Sequence, residues 1–240
     1  MRYRSVWPGI GLGIVLFLLA GCGGGRDVGA PTTTATTPAL GLKADYQFQN
    51  TLKSTTGTAP DLVNIGSSGA NTFTTATVDG QSRTVLTFPE NNGLALPSTT
   101  GVISNDTYSI VVLFSFTDAT SGYRRVLDFK NGSQDTGLYF LHGNMNFYDV
   151  ASATTTSITS NTFVQVVLTR DAARNVVGYV NGVQQISFTD TGDLGVIDLN
   201  NILRFFQDNG SEASAGSVAR IRIYDSVLSP TDVSGLDRLP

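Results

Sequence analysis

From Thr107 to Phe116 every second side chain is large and apolar, so Tyr108, Ile110, Val112, Phe114 and Phe116 share one side of an extended strand. The other side holds Ser109 and Ser115 but also Val111 and Leu113, so neither face suits open water. A strand apolar on both faces belongs inside a sheet covered twice, which confines the chain to layered β architectures. The segment Phe163 to Thr169 repeats the pattern, with Val164, Val166 and Leu168 opposite Gln165 and Thr169. Asn175 to Val180 then meets Asn181-Gly182, and Val183 to Phe188 follows. An Asn-Gly pair between two such runs predicts a two-residue hairpin, because a type I′ turn needs positive φ at both positions. A second hairpin is expected at His142-Gly143-Asn144, joining Leu138–Leu141 to Met145–Tyr148. Near the end, Ala219, Ile221 and Ile223 are expected on one side of a half-buried strand, with Arg220, Arg222 and Tyr224 on the other.

Composition agrees with this picture. Charged residues make up only 14% of the chain, and its polarity comes from Thr, Ser, Asn and 26 Gly. Short and β-branched polar residues lower helix propensity, and no long amphipathic helix is visible. Only the last turns read as helical, with Ser229 as N-cap, Pro230 at the first position and Asp232 three residues after the cap. Many short antiparallel strands without internal repeats imply a β-sandwich or jelly roll. The formal charge is -4 and no basic stripe is present, which argues against nucleic acid as a partner.

The N-terminus reads as an address. Met1 to Arg4 is a short basic segment, and Ile10 to Ala20 is apolar except for glycine. That run is about half the ~20 residues a spanning helix needs, and it has the length of a signal-peptide core. It ends in Leu19-Ala20-Gly21-Cys22, which resembles the lipobox of bacterial lipoproteins. The resemblance implies cleavage after residue 21 and lipid on Cys22, the one cysteine of the chain. The alternative is an ordinary secretory signal with an incidental Cys22. Two or three acyl chains hold a protein stably where one does not. In two-membrane bacteria an Asp after the lipidated cysteine favours the inner membrane; Gly23 stands here, so the resemblance implies the outer membrane. Residues 22–41 are rich in Gly, Thr and Pro and are expected to be a disordered tether, leaving residues 42–240 as the domain.

Three segments of that domain resemble laminin-G-like, concanavalin-A-like modules. Ala44-Asp45-Tyr46-Gln47-Phe48 with Leu52 looks like the opening strand of bacterial members. Tyr179-Val180-Asn181-Gly182-Val183 is similar to their central hairpin, and Gly216 to Asp225 with Leu228-Ser229 and Val233 to their closing strand and cap. The resemblance implies an all-β, concanavalin-A-like jelly roll of antiparallel strands. It also implies that the first and last strands are neighbours, with Tyr46 and Phe48 near Ile221 and Ile223.

Relatives on this sandwich that hydrolyse glycans carry Glu-x-Asp-x-x-Glu on one strand. This chain has only Glu90 and Glu212, far apart in sequence, and no strand with carboxylates at i and i+2. Asp190-Thr191-Gly192-Asp193 reads as a turn, and His142, the sole histidine, sits in a predicted turn. A catalytic set is therefore not expected. Laminin-G-like modules often hold one structural Ca²⁺ at the rim, and hard cations take loop oxygens. Phe206 to Glu212 clusters such oxygens, so Asp208 and Glu212 are the candidate metal ligands, with a solvated turn as the alternative. Sugars stack on aromatic rings, and Tyr123, Tyr139, Tyr148 and Tyr179 are candidates, although aromatics at strand spacing also serve as core. The single Trp7 lies in the signal segment, which weakens a lectin reading. Arg124-Arg125 reads as a solvated surface pair with the option of an anionic ligand.

The function expected is a lipid-anchored, non-catalytic recognition module binding a glycan or a surface protein. The alternative is a structural envelope lipoprotein without a soluble ligand, and a glycan-active hydrolase stands further off.

Overall fold

The computed structural model describes residues 41–208 and 210–240. The signal segment, Cys22 and the tether lie outside the described residues. No described helix is long and apolar enough to cross a membrane.

Among the described residues fifteen strands and one short helix follow one another. The first seven are β1 (Leu42–Tyr46), β2 (Val63–Ile65), β3 (Thr72–Val78), β4 (Gln81–Phe88), β5 (Gly93–Leu96), β6 (Tyr108–Phe116) and β7 (Tyr123–Asp128). Then come β8 (Gly137–Leu141), β9 (Asn144–Tyr148), β10 (Ala151–Ser152), β11 (Val164–Arg170) and β12 (Asn175–Val180). The last are β13 (Val183–Thr189), β14 (Leu203–Phe205), β15 (Gly216–Tyr224) and α1 (Pro230–Ser234). They form two antiparallel sheets. The larger runs β13-β12-β11-β6-β15-β4-β3, with β1 also paired to β15; the smaller runs β10-β9-β8-β7-β14-β5-β2.

The core lies between the sheets. Tyr108, Ile110, Val112, Phe114 and Phe116 of β6 all enter it, together with Leu138, Phe140, Met145 and Phe147 from the smaller sheet. The first and last strands pair as expected, with Tyr46 opposite Ile221 and Ala44 opposite Ile223. Phe48 is buried in the same core beyond the end of β1. The hairpin at Asn181-Gly182 forms with φ of 49° and 82°, the positive pair the dipeptide demands. In the other hairpin the turn is His142-Gly143 alone, and Asn144 opens β9.

One strand departs from its expected alternation. A bulge between Val218 and Arg220 puts Val218 in the core, while Ala219 packs outside with Val78, Val85 and Leu113. Nor is β15 half-buried, for Arg220 and Arg222 are 4% and 1% exposed. The cause is the chain beyond β15. Leu228, Val233 and Leu236 pack on Val111, Val167, Tyr179 and Tyr224. Asp237 reaches Arg220 Nη1 at 2.9 Å and Arg222 Nη1 at 2.8 Å, and Asp45 takes the Arg220 guanidinium from β1. Helix α1 starts with the expected capping box of Ser229 and Asp232, with Pro230 in the first turn. The middle of the larger sheet's outer face is thus covered by the chain's own C-terminal segment.

Candidate functional site

The smaller sheet presents a polar outer face along β7, β8 and β9. Register fixes it: Arg125 lies opposite Tyr139, Tyr139 opposite Asn146, and Asn146 opposite Ser152. Val126, Leu138, Phe140, Met145, Phe147 and Ala153 beside them face the core, so these side chains face away from it. Tyr123 and Tyr148 belong to the same face. The Tyr123 ring centroid is 5.8 Å from that of Tyr139 and 5.5 Å from that of Tyr148, and the last two are 6.1 Å apart, all edge to face. Tyr139 is fully buried, whereas Tyr123 and Tyr148 are partly exposed. Gly137 makes room beside them: its φ is 145°, and a Cβ there would meet the Leu127 carbonyl oxygen at 2.2 Å.

Arg125 organises what lies beneath. Its side chain is fully buried over the Tyr139 ring, 4.8 Å from the centroid. Nε lies 2.9 Å from Asp208 Oδ1, Nη2 3.1 Å from Asp135 Oδ1 and Nη1 3.4 Å from Asp128 Oδ2. Nε and Nη1 meet their carboxylates at ion-pair distance without hydrogen-bond directionality. The loop after β14 winds round Asp208, whose Oδ2 accepts from the Gly210 and Glu212 amides at 2.7 and 3.2 Å. The Arg125 amide in turn donates to the Glu212 carbonyl at 2.8 Å. Burial pushes the Asp128 carboxyl up, against amide donation from Lys130 and Gly132 and the charge of Arg125.

Asp208 and Glu212 do come together, and they are joined by Asp135; one oxygen of each lies within 4.8 Å of the others. The Glu212 carboxyl is pushed up by burial and then by the charges of Asp208 and Asp135, with Arg125 opposing. Ca²⁺ takes six to eight oxygens at about 2.3–2.6 Å. The donor set fits it poorly. Both oxygens of Asp208 are committed, Oδ1 to Arg125 and the Tyr139 hydroxyl and Oδ2 to two amides. A divalent ion at Asp208 competes with a guanidinium already at ion-pair distance.

The remaining candidates fall elsewhere. Tyr179 is buried under the C-terminal segment on the other sheet. Arg124 and Arg125 are no solvated pair: Arg125 is buried, and Arg124 is held by Asp118 at 2.5 Å. His142 is exposed in its turn, with Nδ1 2.9 Å from the Thr120 carbonyl oxygen. Asp190 is buried and pairs with Arg170 Nε at 3.0 Å, while its oxygens accept from the Leu194 and Gly195 amides. That assembly lies beside a pocket lined by Asp106, Arg170, Arg174 and Asp193. Sequence reasoning named Asp208, Glu212 and the three clustered tyrosines but missed Asp135 and Asn146. Asp135 reaches the site through a loop, and Asn146 through β9 register, and neither has a local signal.

Residues 88–234 match the family model for the concanavalin A-like lectin/glucanases superfamily, in its laminin-G form, and the chain belongs to that superfamily. None of the curated proteins matches it. Among solved structures, it is similar to domain 4 of AbnA, a GH43 extracellular arabinanase from Geobacillus stearothermophilus, in complex with arabinotriose. The identity is 20% and the TM-score 0.61, covering 80% of this chain and 96% of that one. It is also similar to Trypanosoma rangeli sialidase, at 17% identity and TM-score 0.58, covering 86% of this chain but 34% of the sialidase. A botulinum neurotoxin type C structure, whose cell entry depends on two ganglioside molecules, matches at 13% identity and TM-score 0.59, covering 81% of this chain and 50% of that one. At these identities the likeness concerns the fold.

Proposed function

We propose that this domain is a glycan-binding module whose ligand lies on the outer face of β7, β8 and β9. The observation that carries this reading is the Tyr123–Tyr139–Tyr148 cluster, partly open to solvent and set among polar side chains. Tyrosine rings offer an apolar face for sugar C–H groups and a hydroxyl for their oxygens. The middle of the opposite sheet is covered by the chain's own C-terminal segment, which favours this face as the platform. The complexes named for the similar structures, arabinotriose and gangliosides, support a carbohydrate over other small ligands. In this reading the lipid on Cys22 holds the module at the membrane surface, and chemistry is not required of it.

A structural envelope lipoprotein, the alternative, would be favoured by a broad exposed apolar patch. Among the described residues the exposed large apolar side chains are Val63, Val150, Val183, Leu199 and Val227, on five separate segments. One observation favours a second reading, hydrolysis: the approach of Asp135, Asp208 and Glu212. Glycosidases need two carboxyls about 5–5.5 Å or ~6.5–9.5 Å apart, flanking the scissile bond. With Asp208 bound to Arg125, only Asp135 and Glu212 remain for that work. A glycan array probed with the purified protein tests the binding reading, and release of reducing ends from any glycan bound tests the hydrolytic one. Binding lost in Tyr123→Ala and Tyr148→Ala, without turnover, is the result expected. Turnover abolished by Glu212→Gln would replace the first reading with the second.

A further inference from the structure

The charges around the tyrosine cluster are one-sided. Glu212 is tied to β7 two residues from Tyr123 by the Arg125 amide, and Asp149 follows Tyr148, whose ring is 5.5 Å from that of Tyr123. The Tyr123 hydroxyl is pushed up by burial and then by Tyr148, Glu212 and Asp149. Asp149 is exposed directly after Tyr148, and Glu212 keeps an oxygen within 4.8 Å of Asp135. Among the described residues neither Glu212 nor Asp149 forms an ion pair. The nearby cations on β7 are spent. Arg125 is fully buried against Asp208, Asp135 and Asp128, and Arg124 is bound to Asp118 and to the Tyr123 carbonyl oxygen.

A second, independent feature lies beside the rings. Asn146 is 4% exposed, faces outward in register with Tyr139, and has an Oδ1 with no partner. Its Nδ2 is already given to Ser152. Asn144, two residues earlier on the same face, also has an unpartnered Oδ1. These two amide oxygens are acceptors, and a buried acceptor without a donor costs roughly 1–3 kcal/mol.

A ligand that donates suits both the carboxylates and these amide oxygens. An ammonium group has three N–H donors and no acceptor, it pairs with carboxylates, and it is attracted to the faces of aromatic rings. A carboxylated or sulfated sugar meets repulsion from Glu212 and Asp149, and the two arginines of β7 are already paired. We propose that this face selects glycans carrying free amino groups over acidic glycans. The inference rests on the glycan-binding reading and adds the class of sugar.

The test compares three probes of equal length on the full purified chain by calorimetry: glucosamine oligosaccharides, their N-acetylated counterparts, and oligosaccharides containing glucuronic acid. The pH is set so that the sugar amine is protonated. The amino probe is expected to bind at least ~5-fold tighter than the N-acetylated one, and the acidic probe weakest. Raising the salt should narrow the gap. The double variant Glu212→Gln, Asp149→Asn should bring the amino probe to the level of the N-acetylated one, with circular dichroism checking its fold. Equal or tighter binding of the N-acetylated or acidic probe overturns the proposal and leaves glycan binding standing. Binding of no probe, together with an empty glycan array, overturns both.

Discussion

Arg125 Nε lies 2.9 Å from Asp208 Oδ1, and both side chains are shut away from solvent, at 0% and 1% exposure. This pair joins β7 to the loop that carries Glu212 and holds that loop against the tyrosine cluster. Stranding one member of a buried ion pair costs about 3–5 kcal/mol. Arg125→Ala leaves both Asp208 and Asp128 without their guanidinium. Urea unfolding should show a loss of that size, and a loss below ~1 kcal/mol would mean that the pair does not organise the site.

The C-terminal segment makes a parallel prediction. Asp237 bridges Arg220 and Arg222, which are nearly buried on β15. Asp237→Ala leaves two guanidinium groups short of a partner and should cost about 3 kcal/mol, somewhat less than a fully buried pair because the Asp237 side chain is 18% exposed. Thermal melts of the variant read this directly, and an unchanged midpoint would show that the segment is held by its apolar contacts alone.

Calcium should matter little. Arg125 supplies the positive charge that a divalent ion would bring to Asp208, and the Asp208 oxygens are committed. Melting curves in calcium and in a chelator are expected to coincide. A clear rise of the midpoint with calcium would show that Asp135 and Glu212, with loop carbonyls, complete a site despite the guanidinium.

Two carboxyls, Asp118 and Glu212, should be shifted in opposite directions. The hydrogen bond from Arg124 lowers Asp118 to about 2, against the ordinary 3.8. Its contribution to stability is present above the ordinary value and lost as the pH falls through about 2; the side chain is 41% exposed, so the contribution is small. Glu212 is raised by burial and by Asp208 and Asp135, so its favourable contribution belongs to pH below the ordinary Glu range and is lost as the pH rises. Carboxyl NMR should find Asp118 among the lowest midpoints, returning upward in Arg124→Ala. Glu212→Gln should gain less than ~1 kcal/mol at neutral pH and nothing in acid.

The fold was readable because its signals are local. The alternation in Thr107–Phe116 became β6, Asn181-Gly182 became the turn it demands, and Ser229, Pro230 and Asp232 began the helix. The bulge at Ala219 was not readable, because pairing with β6 and β4 decides which residue is extruded. The burial of Arg125 escaped for a related reason. Beside Arg124 it looks like surface charge, and Asp128 three residues on makes an interior position tolerable only together with Asp135 and the distant Asp208. Asp208 and Glu212 were visible as a cluster on one loop. Their engagement with a guanidinium on another strand was not.

The most direct measurement of the central claim is a glycan-array screen of the purified protein beside Tyr148→Ala, with Tyr123→Ala as a second variant. Reproducible binding to one class of glycan, weakened about tenfold or more by either substitution while the melting midpoint holds, is the result predicted. Binding indifferent to both tyrosines, or no binding to any glycan, would contradict the account.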